Sequence, residues 1–321
     1  MELRGPLANL RQDDIDWEHG QNALAKALAA WRAEPGVAPV LAAMKRFGAG
    51  GPLERCKALA LLFEPSGPRA RAFADSLVAA GLAAIDGYPL GQLPLRHGSR
   101  DAVPMLVLAR SGHATLALAA YDGHALASLP RPRTARFRPV ETWKRVLAGS
   151  GLADLVSRDD RGGLRTERIA VEAGGVYRHH GSRQAFDIHA VDGAMVVLRL
   201  ERQLDEHEPV REFDLADGTL LHQASARKED SRGELVVALL AAMERIDAVP
   251  QIAGLALGGG SDALRWQALR EVIGLDALAG VELLAHLASD DGDTLQAQAA
   301  DQLATLLVSR PDLREAAPWR G

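Results

Sequence analysis

The chain has 321 residues, of which 47% are hydrophobic and 25% are charged, and its formal net charge is -5. This composition is typical of a globular protein and excludes a largely disordered chain, while the acidic balance argues against a general nucleic-acid binder, which is normally basic. No apolar run reaches the roughly 18 residues that a membrane-spanning helix needs, so no membrane partner is expected.

Compartment and origin are predicted from the same composition. Cys56 is the only cysteine, so nothing indicates an oxidising compartment, and the first residues lack the pattern of a secretory signal. The basic residues are nearly all Arg and the chain is rich in Ala, which is typical of a GC-rich bacterial genome. We therefore expect a soluble bacterial protein of the cytoplasm.

The first predicted region, residues 1–87, is helical. Its apolar runs, among them GQNALAKALAAWRAE and PLERCKALALLF, are separated by clusters of Gly and Pro. Because these residues begin and end helices, their positions between the runs predict several successive helices.

The second predicted region, residues 88–228, is mainly antiparallel β-structure. Residues 103–123 contain two apolar runs around RSGH, which predicts a β-hairpin. The Pro- and Arg-rich stretch that follows is expected to be irregular, and the segment VETWKRVLAGSG after it has a helical period.

Two-residue turn signals divide the end of this region into six apolar runs. They are Gly174-Gly175, Asp192-Gly193 and Asp217-Gly218. Because such pairs between apolar runs are strong hairpin signals, we predict six consecutive antiparallel strands in a β-meander. The second turn then pairs Ile188 with Val197. The third turn pairs Phe213 with His222.

The predicted register gives one sheet face a polar end. It places Glu201, Phe213 and His222 in a row across three strands, with Arg199 and Arg211 beside them. Charged groups on an apolar face must be paired or open to water. We therefore predict a candidate acid/base site of Glu201, His222 and Arg211, with Arg199 as a ligand-binding residue. The alternatives are a buried ion-pair network and a core that ends there.

The tetrapeptide His-Gly-Ser-Arg occurs at residues 97–100 and again at 180–183. Each copy is predicted to lead into the first strand of a hairpin, where Gly supplies an unusual backbone angle. If the two hairpins adjoin, ligand-binding candidates from both copies meet at one sheet edge. These candidates are His97, Arg100, His180 and Arg183.

The histidines are dense between residues 179 and 222, but their spacing does not favour a metal site. Successive strand residues point to opposite faces, so His179 and His180 are not expected to bind one ion. The chain contains no His-x-His and no His-Glu-x-x-His motif. We expect no metal and no cofactor.

An arginine-rich stretch precedes VETWKR. Guanidinium groups bind phosphate and carboxylate, so this stretch is the best electrostatic candidate for an anion site. The alternative is a solvated loop whose arginines pair with the acidic residues of the chain. The candidate anion-binding residues are Arg131, Arg133, Arg136 and Arg138.

The third predicted region, residues 229–321, is helical. Within it, LRWQALREVIG and VELLAHLASDD form two helical runs with a short turn between them, and AADQLATLL begins another. Over residues 262–308 this pattern resembles a HEAT-type helical repeat. The resemblance implies stacked antiparallel helices and, as often in that family, a protein-binding surface. A free solenoid needs about three units, so packing against the sheet is expected.

Segregated helices and strands predict an α+β fold with a helical N-terminal part, a central antiparallel β-meander and C-terminal antiparallel helices. Two functions fit this fold. We expect a binding or adaptor protein that holds a protein or peptide through its helical pairs and sheet surface, because no catalytic motif is present. The alternative is a small-molecule enzyme or ligand-binding protein that uses the predicted His-Glu-Arg site. Nucleic-acid binding is a weaker third hypothesis.

Overall fold

The computed structural model describes residues 15–100, 102–204 and 208–312. Helices lie mainly at the two ends of the chain and antiparallel strands lie between them, so the predicted α+β class with its meander-like strand region is confirmed. Within the described ranges, no helix is both long enough and apolar enough to cross a membrane.

The chain forms two compact units, which we call the sheet unit and the helix unit. The sheet unit consists of Met1–Ala135 and Val140–Leu204. The helix unit consists of Arg136–Pro139 and Asp205–Gly321.

The described part of the sheet unit contains five helices. They are α1 (Ile15–Ala33), α2 (Ala38–Gly48), α3 (Lys57–Ala60), α4 (Arg69–Gly87) and α5 (Gly123–Ala127). Proline stands in the first turn of α2, where its missing N–H costs no helical hydrogen bond. The Asp122 carboxylate caps α5 by accepting hydrogen bonds from the backbone N–H groups of His124 and Ala125.

The described residues form twelve strands in three antiparallel sheets. The strands are β1 (Arg96–Arg100), β2 (Val103–Ser111), β3 (Ala114–Asp122), β4 (Thr134–Phe137), β5 (Val140–Ala148), β6 (Ser150–Arg158), β7 (Leu164–Glu172), β8 (Val176–His180), β9 (Gln184–Val191), β10 (Ala194–Gln203), β11 (Val210–Asp214) and β12 (Leu220–Ala224). Six of them form a sheet of order β1-β2-β3-β10-β5-β8, and β7-β6-β9 form a second sheet in the same unit. The third sheet is β12-β11-β4.

The N-terminal helices cover one face of the six-stranded sheet. Leu198 and Leu200 of β10 are fully buried there in one core with the helix residues. Phe47 of α2 meets Trp143 of β5 edge to face, with ring centroids 5.4 Å apart. Each buried side chain of this size contributes about 1.5–3 kcal/mol of hydrophobic stabilisation. The helices are therefore a structural part of the sheet unit.

The opposite face of the six-stranded sheet packs on the three-stranded sheet. Val146 of β5 and Val197 of β10 share a buried cluster with Ala153 of β6, Val171 of β7 and Ile188 of β9. The unit is therefore layered as helices, sheet and sheet. A side chain on β5 or β10 points either toward the helices or into the space between the sheets.

The helix unit has a core of its own. Its helices are α6 (Lys228–Ala242), α7 (Val249–Ala256), α8 (Asp262–Leu275), α9 (Ala277–Ala288) and α10 (Gln296–Ser309). The side chains of Ser261 and Asp276 cap α8 and α9. Consecutive helices from α7 to α10 pack on one another, and their shared buried residues, such as Leu269 and Leu284, are all helical.

The segment VETWKRVLAGSG is a strand, β5, and not the predicted helix. Its residues from Val140 to Leu147 are all buried, because helices cover one face and the second sheet covers the other. A strand with two covered faces loses the alternation of apolar and polar residues that identifies a half-exposed strand.

Two of the three turn signals join different sheets instead of closing hairpins. Gly174-Gly175 connects β7 to β8, and Asp192-Gly193 connects β9 to β10. The predicted pairing of Ile188 with Val197 is therefore wrong, since Ile188 faces Ala153 and Val197 faces Ala119 and Val146. A two-residue connection between packed sheets has the same turn chemistry as one within a sheet.

The remaining hairpins form, but one has a shifted register. The predicted hairpin over 103–123 is confirmed as β2 and β3. Asp217-Gly218 joins β11 to β12, yet His222 faces Glu212 and Phe213 faces Leu220, because the pairing contains a bulge. The predicted pairing of Phe213 with His222 is therefore wrong.

A glycine at the corner between β5 and β6 gives a test of this two-sheet arrangement. Gly149 has φ +85°, and a Cβ there would overlap the backbone carbonyl of Ala194. Gly193 has φ +67° with no atom within 4 Å of the corresponding position. We expect Gly193→Ala to lose about 1–2 kcal/mol from its backbone conformation alone. Gly149→Ala should lose clearly more, as measured by urea unfolding. Equal losses would contradict the close approach of the β5–β6 corner to β10.

Candidate functional site

Five polar side chains project from neighbouring strands into the space between the two sheets of the sheet unit. We call them the interior polar cluster. They are Thr142 and Lys144 of β5, His179 of β8, and Arg199 and Glu201 of β10. They continue the inward-facing series to which Val146 and Val197 belong, because side chains two apart on a strand share a face.

The strand register places these five residues in two adjacent rows. In one row Thr142 faces His179 on one side and Glu201 on the other. In the next row Lys144 faces Arg199. Directly opposed side chains lie about 4.5–5.5 Å apart at their Cβ atoms. The cluster is therefore a compact patch on three adjacent strands.

Lys144 lies at the buried centre of the cluster. Its Nζ atom donates a hydrogen bond of 3.0 Å to the carbonyl oxygen of Phe186 and stands 4.1 Å from the centre of the Phe186 ring. Burial, together with the positive charge of Arg199, lowers the pKa of the Lys144 ammonium to about 7. Asp187 and Glu201 oppose it more weakly. Lys144 is therefore a cation that releases its proton near neutral pH.

Arg199 and Glu201 connect the cluster to solvent. The Arg199 guanidinium forms an ion pair with the Glu201 carboxylate. Their side chains are 28% and 20% exposed, whereas Thr142 is completely buried. The cluster therefore has a buried end at Lys144 and Thr142 and an accessible end at the ion pair.

His179 is neutral at physiological pH. Burial, together with the charges of Lys144, Arg199 and His180, lowers the pKa of its imidazole to about 3. The ring stacks on Phe186 with centroids 5.6 Å apart and an interplanar angle of 16°. A neutral imidazole presents one donor and one acceptor nitrogen to its surroundings.

Three buried polar atoms of the cluster have no hydrogen-bond partner among the residues that the structure describes. They are Thr142 Oγ1, His179 Nδ1 and Arg199 Nε. Leaving such a group unpaired in an interior costs about 1–3 kcal/mol. Three of them on adjacent strands give the interior an unused capacity to hydrogen-bond a polar molecule.

The structure separates the predicted acid/base residues. Glu201 belongs to the sheet unit, whereas Arg211 and His222 belong to the helix unit. The predicted row of Glu201, Phe213 and His222 is wrong, because Glu201 faces Thr115 and Thr142. Arg211 instead donates to Gln223, and His222 is exposed.

Arg199 and Glu201 do share an inward face, as their spacing on one strand requires. The histidine in the same row as Glu201 is His179, with Thr142 between the two, and the missed cation is Lys144. Reading β5 as a helix hid Thr142 and Lys144, which are two apart and so point the same way on a strand. Had VETWKR been assigned to a strand, its sequence would have placed Thr142 and Lys144 on one face.

The two His-Gly-Ser-Arg copies do not converge, so the condition for a shared site, that the two hairpins adjoin, is not met. His97 and Arg100 lie in β1, and His180 and Arg183 bracket the turn that follows β8. These strands are the opposite edges of the six-stranded sheet, with four strands between them. Only the backbone of Arg100 is described. Arg183 pairs with Asp160 on the surface at 3.4 Å.

His97 lines a shallow groove on the sheet unit. The groove has a volume of about 440 Å³ and is walled mainly by apolar residues, among them Met105, Leu118 and Val196. The first His-Gly-Ser-Arg copy therefore forms the rim of an apolar surface groove.

The predicted anion-binding arginines are divided between the units. Arg131 and Arg133 are exposed in the sheet unit. Arg136 and Arg138 belong to the helix unit, where Arg136 pairs with Glu212 at 2.8 Å. Arg136 therefore follows the alternative to an anion site, in which the arginines pair with acidic residues of the chain.

No three His, Cys, Asp or Glu side chains within residues 15–100, 102–204 and 208–312 are grouped so that they could hold a metal ion. The interior polar cluster offers mainly hydrogen-bond donors, from Thr142, Lys144 and Arg199. Its chemistry therefore suits a ligand that carries acceptor atoms.

Comparison with protein-family models gives no match, and comparison with curated proteins gives none either. Among solved structures, Pac13, described as a nucleoside dehydratase, is 11% identical over 40% of this chain and 92% of its own, with a TM-score of 0.26. The Momordica charantia 7S globulin is 12% identical over 38% and 36%, with a TM-score of 0.26. The Drosophila melanogaster CENP-C cupin domain is 10% identical over 33% and 74%, also with a TM-score of 0.26. These scores are too low to establish a shared fold or function.

The buried ammonium of Lys144 predicts a pH-dependent stability. Its pKa is about 7 in the folded protein against an ordinary value of 10.5, so between these values the unfolded chain holds a proton that the folded chain has released. The free energy of unfolding should therefore rise with pH in this window, and Lys144→Met should remove that rise. The difference between the two proteins should change by at most about 4 kcal/mol between pH 7 and pH 10.

Urea unfolding at successive pH values measures this difference. Lys57→Met is the matched control, because Lys57 is exposed on α3 and its removal should leave the slope unchanged. Parallel curves for the wild type and Lys144→Met would show that Lys144 keeps an ordinary pKa.

Proposed function

We propose that this chain binds a small polar molecule at the interior polar cluster of its sheet unit. The observation that carries the proposal is the set of three buried polar atoms, Thr142 Oγ1, His179 Nδ1 and Arg199 Nε, without partners in the described residues. A fold that retains such atoms loses stability unless another molecule satisfies them.

The position of the cluster supports binding. Its members stand on three hydrogen-bonded strands, which hold side chains more rigidly than loops do. The ion pair of Arg199 and Glu201 is partly exposed, so this end of the cluster is in contact with solvent. Apolar residues such as Val146 and Val197 lie beyond the buried end. A few placed polar groups beside an apolar wall are typical of small-molecule sites.

The acid/base chemistry in this proposal is limited to one group. His179 stays neutral because its pKa is about 3, and Glu201 is engaged by Arg199. Lys144 changes its charge near neutral pH. We therefore propose a ligand-binding role first, and an enzymatic role only where a reaction uses a neutral amine. A cytoplasmic bacterial location stays part of the proposal and rests on composition and the single thiol.

Thr142→Val tests the binding site without emptying the core. The substitution removes the unpaired hydroxyl and keeps the volume, so stability should be unchanged or higher. Binding should weaken, because the hydroxyl is then missing from the site. Thermal shifts with benzoate, benzamide, phenyl phosphate and glucose, and native mass spectra of the purified protein, measure binding.

Thr166→Val is the matched control, since Thr166 is exposed on β7. We expect the wild type and this control to show the same ligand-dependent shift or the same retained mass, and Thr142→Val to show less. Bare native masses and no thermal shift with any of the four probes would overturn the proposed function. A large loss of stability in Thr142→Val would show that the hydroxyl is structural.

We propose as a second function that the helix unit holds a protein partner, as the HEAT-like pattern of residues 262–308 suggests. One observation favours it. Helix α6 and the residues after it carry large exposed apolar side chains, with Leu235 at 70% exposure. Others of this set are Val236, Leu239, Met243 and Ile246. Contiguous exposed apolar surface is typical of protein–protein contact sites.

Introducing negative charge on this apolar surface tests the partner hypothesis. The double variant Leu235→Glu with Leu239→Glu should lose a co-purified protein that the wild type retains, because each carboxylate would be desolvated at the contact. Val308→Glu is the control, since Val308 is exposed elsewhere on α10. Identical co-purified proteins for the double variant and the wild type would exclude α6 as the contact.

A further inference from the structure

We propose that the ligand of the interior polar cluster is a small organic anion, a carboxylate with an apolar body, and that it binds together with a proton at Lys144. This inference rests on the proposed function, because it assigns a chemical class to the ligand of the same site.

The pairing of two cations across neighbouring strands is the first ground. Lys144 of β5 lies directly opposite Arg199 of β10 on an inward face. Like charges in this position destabilise a sheet, and burial increases the repulsion because less water screens it. A carboxylate placed between the two side chains would replace this repulsion with two attractions.

The carboxylates already present leave Lys144 without an ion-pair partner among the described residues. Glu201 is bound to Arg199, and no carboxylate oxygen of a described residue forms an ion pair with Lys144 Nζ. The hydrogen bond of Lys144 goes to a neutral carbonyl, that of Phe186. Asp187 of β9 is exposed to solvent, which weakens its attraction for the ammonium.

The other titratable groups around Lys144 do not supply a negative charge. His179 of β8 is neutral, and burial raises the pKa of Tyr121 on β3, so its phenol keeps its proton. Tyr177 of β8 faces Lys144 in the strand register, and its hydroxyl donates a hydrogen bond to the carbonyl oxygen of Ala170. The nearby negative charges are therefore Asp187, which is exposed, and Glu201, which is bound to Arg199.

The remaining unpaired atoms fit the head of a carboxylate. The donor Arg199 Nε stands in the same row as Lys144, and the donor Thr142 Oγ1 stands in the next row, opposite Glu201. A carboxylate has about four lone-pair sites and accepts such donors together with an ammonium. The wall beyond Lys144 is apolar, formed by Val146, Val197 and Ile188. It favours an apolar group attached to the anion.

Proton uptake follows from the state of Lys144 in the free protein. Its pKa is about 7 without a ligand, and a neighbouring anion raises it. Above pH 7 the anion therefore binds with a proton taken from solution. Its apparent affinity should fall about tenfold for each pH unit between pH 7 and pH 9.

Matched pairs of probes test the inference on the full chain. Benzoate is compared with benzamide, and acetate with acetamide, since each pair has nearly the same shape and differs in charge. Inorganic phosphate is included as an anion without an apolar body. Isothermal titration at pH 7, 8 and 9, in buffers of different ionisation enthalpy, reports affinity and proton uptake together.

We expect benzoate to bind more tightly than benzamide and more tightly than phosphate, with about one proton taken up at pH 8. Lys144→Met should abolish this preference for the anion. Lys144→Arg should keep the preference and lose its dependence on pH, because its charge does not titrate in this range. Lys57→Met, on the exposed surface of α3, should behave as the wild type.

The outcomes separate the two proposals. Equal binding of benzoate and benzamide, or benzoate binding that does not change between pH 7 and pH 9, would overturn the anion inference and leave the binding site in place. Tighter binding of phosphate than of benzoate would contradict the inference that the ligand has an apolar body. Absence of binding by every probe, with a bare native mass, would remove the proposed function and this inference together.

Discussion

The placement of β10 governs the sheet unit. This strand is hydrogen-bonded to β3 on one edge and to β5 on the other, and layers of structure cover both of its faces. Leu198 and Leu200 therefore enter the core under the helices, while Val197 points into the space between the sheets. The inward side chains of β10 therefore lie between the two sheets. On that face the apolar Val197 is followed by Arg199, where the interior polar cluster begins.

A charged cluster in such a position opposes folding. Desolvation of Lys144 and its repulsion by Arg199 both cost stability, and the unpaired atoms of Thr142 and His179 add to that cost. Elsewhere the same unit pairs its buried charges closely. Glu141 accepts from both Arg178 and Arg202 on the helix side of the sheet. On that side Arg145 Nε also lacks a partner among the described residues, whereas the space between the sheets holds three such atoms on adjacent strands. This concentration is the physical reason to associate function with the space between the sheets.

The sequence predicted elements better than it predicted their partners. The helical ends, the β2–β3 hairpin and the six strands after residue 163 follow from local signals, namely Gly and Pro positions and short apolar runs. The partners of those strands did not follow. Gly174-Gly175 and Asp192-Gly193 turn the chain between sheets, and a turn signal carries no information on whether the next strand pairs with the last one. At the site, Arg199 and Glu201 were found because residues two apart share a strand face, whereas Lys144 was hidden in a strand buried on both sides.

The sequence by itself determined the α+β class, the order of helical and strand regions, and the shared face of Arg199 and Glu201, because propensity, punctuation and strand alternation act over a few residues. The tertiary structure alone decided that β10 lies between β3 and β5, that Lys144 stands opposite Arg199, and that His179 rather than His222 shares a row with Glu201, with Thr142 between them. These contacts join residues tens of positions apart in the chain. They depend on which buried surfaces fit together, and no short stretch of sequence contains that information.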